Sequence, residues 1–286
     1  MDIDGKTMVC GLIGNPVEHT LSPMIHNTLA DRLGHNLVYV PFPVGTGRLG
    51  EAVTGAYALQ FPGLNVTVPY KSEVIACLKE IDRLAHEIGA VNTLVRIDGG
   101  YKGYNTDMEG LYRAMQSEGI QIDGERIILL GAGGAARTAA YLCAVKGADK
   151  VFLLNRTLSK AQTVAEEINR KVGREVIFPM LTEDYMSLPD GQYLAIQGTS
   201  VGLSPHVDDV VIADDSFYEK IHTGFDLIYT PWETMFMKLT KKQGGKAYNG
   251  LKMLLYQGII AYELWNDVHV SDEDAQAVYD KLREHF

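Results

Sequence analysis

Residues 126–137 read RIILLGAGGAAR, and the fold turns on them. RIILLG is an unbroken apolar run, the pattern of a parallel strand covered on both faces rather than of a half-exposed one. The glycines follow at once. Gly131, Gly133 and Ala136 fit G-x-G-x-x-A, with Ala132, Gly134 and Ala135 inside the same turn. Glycine tolerates the tight reversal and lets backbone N–H groups approach a pyrophosphate at the positive end of the next helix. That spacing alone is a weak signal. Here a helical stretch, TAAYLCAVKG, and a second apolar strand, VFLLN, complete the strand–turn–helix–strand order of a dinucleotide-binding unit. The expected pyrophosphate cradle is the backbone of Gly131, Ala132, Gly133, Gly134 and Ala135. The alternative is a tight strand–helix turn that holds nothing.

The end of the second strand selects the dinucleotide. An NAD site usually carries Asp or Glu there, accepting from the ribose 2′-hydroxyl; this chain has Asn155, Arg156 and Thr157. An acid would repel a 2′-phosphate, whereas Arg156 can pair with it and Asn155 and Thr157 can add hydrogen bonds. NADP is therefore expected over NAD, against the alternative of a solvated surface arginine.

Working outward, strand and helix patterns alternate along the chain, which predicts α/β layers with largely parallel sheets. TMVCGLIG, LVYVPFP, LNVTV, AVNTLVRI and YKGYN read as strands, the last two around the turn signal DGG. Ser22 is the expected N-cap of a helix with Pro23 at its first position and Gly34 at its end. RLGEAVTGAYAL, KSEVIACLK and the segment from Asp107 to Glu118 read as helices. Beyond the glycine-rich turn, TLSKAQTVAEEINRK reads as helix, VIFP, YLAIQ and FDLIY as strands, and the last stretch as mostly helical. No repeat or Gly/Ser linker interrupts the chain.

Composition narrows the partners. The chain has 286 residues, 46% hydrophobic and 22% charged, enough for one large or two ordinary cores. A formal net charge of −10 argues against a nucleic-acid surface while leaving room for a local anion pocket. Cys10, Cys77 and Cys143 are far apart, with no CxxC or Cys/His cluster, so neither a disulfide framework nor zinc is expected and the reduced cytoplasm is the expected setting. The spacing of His19, His26 and His35 matches no metal-ligand pattern. MDIDGKTMVC lacks the basic start and apolar run of a signal peptide, and LKMLLYQGIIAYELW is too short and interrupted to span a bilayer.

The residues before the glycine-rich turn carry a second set of polar groups at strand and helix ends: Thr20 and Ser22, Thr67 and Lys71, Asn92, and Asn105-Thr106-Asp107. Each has an ordinary structural use as a cap or a backbone partner. Together they offer hydroxyls, amides, one amine and one carboxylate, a set suited to a small polyhydroxylated acid. HTLSP, NVTVPYK, GAVNTL, GYNTD, GAGGAAR, NRT, TSVG, YTP and NGLKMLLYQG, in that order from about residue 10 to 260, resemble the shikimate dehydrogenases, including the quinate/shikimate variants.

The resemblance implies NADPH-dependent reduction of 3-dehydroshikimate to shikimate, in aromatic amino acid and chorismate biosynthesis. Lys71 and Asp107 look like the catalytic pair. Thr20, Ser22, Thr67, Asn92, Tyr229 and Gln257 look like substrate ligands, and Gly250 sits where the family passes its backbone near the nicotinamide. It implies a two-domain fold. A substrate-binding catalytic domain spans 1–106, completed by C-terminal helices from 246–286, and a Rossmann-like NADP domain spans 107–245. The active site is expected in the cleft between them, in a monomer or homodimer acting on a small molecule. Thr20 replaces the commoner serine, Gln197 a commoner asparagine before GTSVG, and Thr230 the asparagine of a Tyr-Asn-Pro version. None removes a catalytic group; all bear on substrate preference.

The lysine has two possible uses. It can deliver a proton as the hydride arrives, or stay charged and stabilise the developing oxyanion while Asp107 orients it. A free lysine amine titrates at about 10.4; burial lowers that value and a neighbouring carboxylate raises it, so sequence leaves the choice open. Other readings are a quinate enzyme using NAD, a non-catalytic sensor of the same fold, and a reductase for another carbonyl, such as a folate or glutamyl-tRNA. A sensor would be expected to lose Lys71 or Asp107 or to add a basic segment, and a tRNA partner would need a basic surface.

Overall fold

The computed structural model describes residues 3–286, which divide into two compact units: the chain up to Gly110 with Leu254–Phe286, and Leu111–Met253. Each is built on its own six-stranded sheet.

The first unit runs β1 (Met8–Gly14), α1 (Ser22–Leu33), β2 (Leu37–Pro43), α2 (Leu49–Ala58) and β3 (Gly63–Val66). A 3-10 turn at Glu73–Cys77 leads to β4 (Glu80–Ile81), α3 (Arg83–Ile88), β5 (Thr93–Ile97) and β6 (Gly100–Tyr104). The strand order is β2-β1-β3-β5-β6-β4. β1 is parallel to β2 and β3, with Met8 opposite Leu37 and Gly11 opposite Leu64, whereas β5 is antiparallel to both β3 and β6. The sheet is thus mixed. The two-residue Asp98-Gly99 link is too short for a crossover, so β5 and β6 can only pair as a hairpin, and Gly99 takes the positive φ of 77° this needs. Leu49, Val53, Leu64, Val66, Tyr70 and Leu94 share the core beneath it.

The second unit opens with α4 (Asp107–Ser117), which starts in the first, and continues β7 (Arg126–Leu130), α5 (Gly134–Val145), β8 (Lys150–Asn155), α6 (Leu158–Val172) and β9 (Ile177–Leu181). After β10 (Tyr193–Gln197) come α7 (Asp215–Tyr218), β11 (Ile221–Asp226), α8 (Met235–Lys242) and β12 (Lys246–Tyr248). The order β12-β11-β10-β7-β8-β9 is parallel throughout, which is the doubly wound dinucleotide-binding arrangement with its switch point between β7 and β10. Ile128, Leu130, Leu154, Tyr193, Phe217 and Phe236 fill its core. The chain then supplies α9 (Leu251–Asn266) and α10 (Asp272–Arg283); Arg32 of α1 holds Asp274 of α10 at 2.6 Å.

Three local expectations are corrected. Ser22 is not the N-cap: Leu21 is, without a side-chain bond, and the Ser22 N–H instead donates to Thr20 Oγ1 at 3.2 Å, so Thr20 shapes the entry. KSEVIACLK forms only the 3-10 turn, because the chain re-enters the sheet at Glu80 and leaves no length for an α-helix. FDLIY is not the strand. β11 begins at Ile221, paired opposite Tyr193, and ends at Asp226, whose carboxylate accepts the Ile228 N–H and turns the chain. β3 likewise stops at Val66, ahead of Pro69, and Thr67–Tyr70 closes as a turn with the Tyr70 N–H on the Thr67 carbonyl at 2.9 Å.

Candidate active site

Lys71 follows the turn after β3, and Asp107 opens α4 after β6. The two meet: Lys71 Nζ donates to Asp107 Oδ2 at 2.7 Å, with side chains 33% and 17% exposed, so the pair is sheltered yet reachable. Asn105 Oδ1 accepts the Asp107 N–H at 3.1 Å and so shapes the helix start, leaving the Asp107 side chain free of capping duty. Its other oxygen, Oδ1, accepts from Asn92 Nδ2 at 2.9 Å. Asn92 is 3% exposed, and its Oδ1 in turn accepts the Thr106 N–H at 2.8 Å. Three sequence-predicted residues from three segments therefore form one hydrogen-bonded group.

Behind Asn92 the network continues into the core. Thr93 Oγ1 donates to Asn92 Oδ1, Asn65 Nδ2 donates to Thr93 Oγ1, both at 3.1 Å, and Tyr39 OH donates to Asn65 Oδ1 at 2.8 Å. Burial pushes the Tyr39 phenol far above its ordinary range, the nearby Cys10 thiol pushes the same way, and a hydrogen bond from Ser22 pulls it back. Thr20 Oγ1 donates to Ser22 Oγ at 3.1 Å. Tyr39 stacks on His26 with ring centroids 4.1 Å apart. Burial drives that imidazole down to about 3, against a weaker upward pull from Asn65, so His26 packs as a neutral aromatic ring. Its neighbour in the sequence pattern, His35, hydrogen-bonds Tyr262 OH at 2.7 Å.

Thr67 lies beside the end of β1. A Cβ on Gly14 would come within 2.3 Å of Thr67 Cγ2, so the glycine makes room for that side chain. Gln257 is placed differently: its Nε2 donates to the Leu254 carbonyl of its own helix at 2.8 Å, and its backbone lies where a Cβ on Gly110 would come within 2.7 Å. Tyr229 and Gly250 belong to the second unit. Burial raises the Tyr229 phenol. Gly250 is buried against the Leu227 carbonyl, which a Cβ would approach to 2.3 Å, so close backbone packing already requires glycine there.

In the second unit a cleft of about 520 Å³ lies over the switch point. Gly131, Ala132 and Gly133 line one side, Asn155, Arg156 and Thr157 the end of β8, and Gly198–Val201 the loop after β10. The residues fit a phosphorylated dinucleotide on three counts. Gly131 has φ 104°, and a Cβ there would meet Thr199 Cγ2 at 2.7 Å, so the turn is restricted to glycine. A Cβ on Gly133 or Gly134 would meet nothing within 4 Å, so the start of α5, uncapped by any side chain, faces open space where a pyrophosphate can approach its N–H groups. Among the described residues no carboxylate lines the cleft, while Arg156 and Lys160 do. Asn155 Nδ2 donates to the Thr157 carbonyl at 2.9 Å, which holds the turn that carries Arg156.

Sequence reasoning missed two contributors. Lys160, in the first turn of α6, lines the same cleft as Arg156; two cations so close in sequence after the second strand were a readable signal. Gln197, noted only as a departure from the common residue, is 1% exposed and clamps the cleft loop: Oε1 accepts the Thr199 N–H at 2.6 Å and Nε2 donates to the Val201 carbonyl at 3.0 Å. Among the described residues no cluster of three or more His, Cys, Asp or Glu could hold a metal, and no helix is long and apolar enough to cross a membrane.

A doubly wound sheet with a glycine-rich turn and a cationic ribose end, on the same chain as an α/β unit holding an amine–carboxylate pair, defines a two-domain NADP-dependent oxidoreductase. The family model for the shikimate dehydrogenase substrate binding domain matches residues 12–94, and that for shikimate / quinate 5-dehydrogenase matches residues 113–183. A shikimate dehydrogenase (NADP(+)) of Desulforamulus reducens is 42% identical over 265 residues, covering 92% of this chain and 91% of its own. A shikimate dehydrogenase solved in complex with NADP+ superposes with a TM-score of 0.89 at 38% identity, covering 98% of this chain and 97% of the other. The Listeria monocytogenes shikimate 5-dehydrogenase, solved with shikimate and NAD, gives 0.90 at 30% identity over 99% and 98%. The chain belongs to the shikimate dehydrogenase family.

Proposed function

We propose that this protein catalyses the reversible NADPH-dependent reduction of 3-dehydroshikimate to shikimate, a step of chorismate and aromatic amino acid biosynthesis. The observation that carries the catalytic assignment is the 2.7 Å contact of Lys71 with Asp107, sheltered at the strand ends of the first unit. NADPH, when bound, supplies the hydride. The chain supplies the rest. Lys71 stands ready to donate a proton to the nascent alkoxide oxygen in reduction and to take it back in oxidation. Asp107 holds the amine in place through Oδ2 while Asn92 holds Asp107 through Oδ1. Thr20, Ser22 and Thr67 offer hydroxyls to the substrate acid and its ring hydroxyls, with Tyr229 and Gln257 as further ligands. For Gln257 this requires the side chain to leave its bond to the Leu254 carbonyl.

On the cofactor side, the Gly131–Ala135 backbone receives the pyrophosphate, and Arg156, with Asn155, Thr157 and Lys160, holds the 2′-phosphate. Gly250 provides backbone near the nicotinamide. By function, the substrate domain is residues 1–106 with 246–286 and the NADP domain 107–245, a division a few residues earlier at each join than the compact units. The setting is the cytoplasm, consistent with three unpaired cysteines, two of them buried, and the working form is a monomer or homodimer with no nucleic-acid partner.

The test is NADPH absorbance formed from shikimate by the purified protein, with quinate as competing substrate and NAD as competing cofactor. Highest efficiency with shikimate and NADP is expected. Higher efficiency with quinate and NAD would replace this assignment by the quinate one, and turnover of neither acid would remove it.

A further inference from the structure

The buried side chains behind Asp107 form a chain of hydrogen bonds whose direction is dictated by two backbone groups. Asn65 Nδ2 donates to the Asn92 carbonyl at 3.2 Å; a carbonyl only accepts, so the amide orientation of Asn65 is settled and its Oδ1 faces Tyr39 OH. Asn92 Oδ1 accepts the Thr106 N–H at 2.8 Å; an N–H only donates, so Asn92 Nδ2 faces Asp107 Oδ1. Thr93 stands between the two amides. Its hydroxyl accepts from Asn65 and passes its own proton toward Asn92. Along the file Tyr39–Asn65–Thr93–Asn92–Asp107 the bonds therefore point the same way, toward the carboxylate, while Thr106 Oγ1 braces the file from the side, 2.9 Å from Asn92 Nδ2 and 3.3 Å from Thr93 Oγ1.

We propose that Tyr39 and Thr93 are positioning residues for the reduction, their hydroxyls completing with Asn65 and Asn92 a one-way relay that terminates on Asp107 and fixes it against Lys71. This rests on the assignment of Lys71 and Asp107 as the catalytic pair. Tyr39 is 1%, Asn65 4%, Thr93 0% and Asn92 3% exposed, so no water competes for these bonds and aligned dipoles strengthen one another. The relay and the amine occupy different oxygens of the carboxylate, Oδ1 and Oδ2, so Asp107 is pinned from both sides and its rotation is blocked. The far end reaches the substrate side. The Ser22 hydroxyl stands near the Tyr39 phenol and accepts from Thr20 Oγ1 at 3.1 Å, so the hydroxyls offered to the substrate lie beside the start of the file.

Thr93→Val is the cleanest break. It removes the hydroxyl at constant shape, while Asn65 Nδ2 keeps the Asn92 carbonyl and Asn92 Oδ1 keeps the Thr106 N–H, so neither amide is orphaned. The full-length variants Thr93→Val, Thr93→Ser, Tyr39→Phe and Lys71→Ala are assayed with shikimate and NADP, with thermal unfolding as the check on folding. The expected result is a kcat roughly 3–10-fold lower in Thr93→Val, the value of one net hydrogen bond, with the KM for NADP unchanged. Thr93→Ser recovers most of the loss, and Tyr39→Phe falls in the same direction. Equal losses in Thr93→Ser and Thr93→Val would mean that the methyl matters and the hydroxyl does not, overturning the relay. Should Thr93→Val not fold, Tyr39→Phe decides: wild-type kcat there overturns it. If Lys71→Ala loses turnover while Thr93→Val and Tyr39→Phe keep it, only the relay is wrong; if Lys71→Ala stays active, the catalytic pair itself is wrong.

Discussion

The two units present ligand-binding groups in opposite ways. In the first, the groups proposed to do the chemistry are side chains from distant segments, Lys71, Asn92 and Asp107, joined by hydrogen bonds. In the second, the proposed cradle is backbone from one continuous turn, and the residues proposed to select the cofactor, Arg156 and Thr157, are exposed at a strand end. The difference follows from what each part must do. A pyrophosphate is held by any well-placed row of N–H groups, which a local strand–turn–helix provides. A reacting carbonyl needs one amine at one angle, and only a packed polar interior holds a flexible lysine that closely.

The largest effect should come from the packed site. Lys71→Ala is expected to lower turnover about 10²–10⁴-fold with little change in NADP affinity, and Asp107→Ala to lower it in the same direction. Near-wild-type rates in both, measured with shikimate and NADP, would break the contrast by showing that the side-chain site does no chemistry. Arg156→Ala comes next. It should weaken NADP binding by about 1.5–3 kcal/mol, the worth of a charge-assisted contact, and leave NAD binding nearly unchanged in a titration of both cofactors. Equal losses for the two would show that Arg156 serves the turn rather than the 2′-phosphate.

Gly131→Ala probes the backbone cradle. With φ at 104° and Thr199 2.7 Å from the new methyl, the substitution should cost about 1–3 kcal/mol in denaturant unfolding and weaken both cofactors alike. A change confined to NADP would contradict a pyrophosphate role. The smallest effect concerns Asp226, fully buried at the end of β11 and pushed up to about 6 by burial, although Thr234 and the Ile228 N–H pull it down. A carboxyl raised in the folded state favours folding while protonated. Its contribution is complete below about pH 4 and is lost as pH rises through 6. Unfolding free energy measured from pH 4 to 7 should therefore fall less steeply in Asp226→Asn than in the parent, and parallel slopes would refute the shift.

The cofactor half was the more legible, for a physical reason. RIILLG, GAGGAAR and VFLLN are contiguous, so periodicity and glycine spacing report a structure whose contacts are local. Lys160 and Gln197 were readable less easily, since a cation after NRT and an amide before GTSVG have many uses until the cleft is formed. In the first unit the polar residues were visible as candidates, but Ser22 as N-cap and KSEVIACLK as helix were misplaced. There a neighbouring hydroxyl and the approach to β4 override local preference. Tyr39 carried no signal, and Asn65 and Thr93, though they lie within NVTVPYK and GAVNTL, read in the sequence as ordinary strand residues.

The sequence by itself determined an α/β chain with a dinucleotide turn, a cationic ribose end and an amine and a carboxylate placed at element ends. Local backbone geometry and side-chain chemistry settle those features wherever the rest of the chain lies. The tertiary structure alone decided that Lys71 meets Asp107, that Asn92 holds the second carboxylate oxygen, and that a file of buried hydroxyls and amides stands behind them. These depend on the register of strands joined across long stretches of chain and on the exclusion of water, which make a hydrogen bond between distant residues directional and durable.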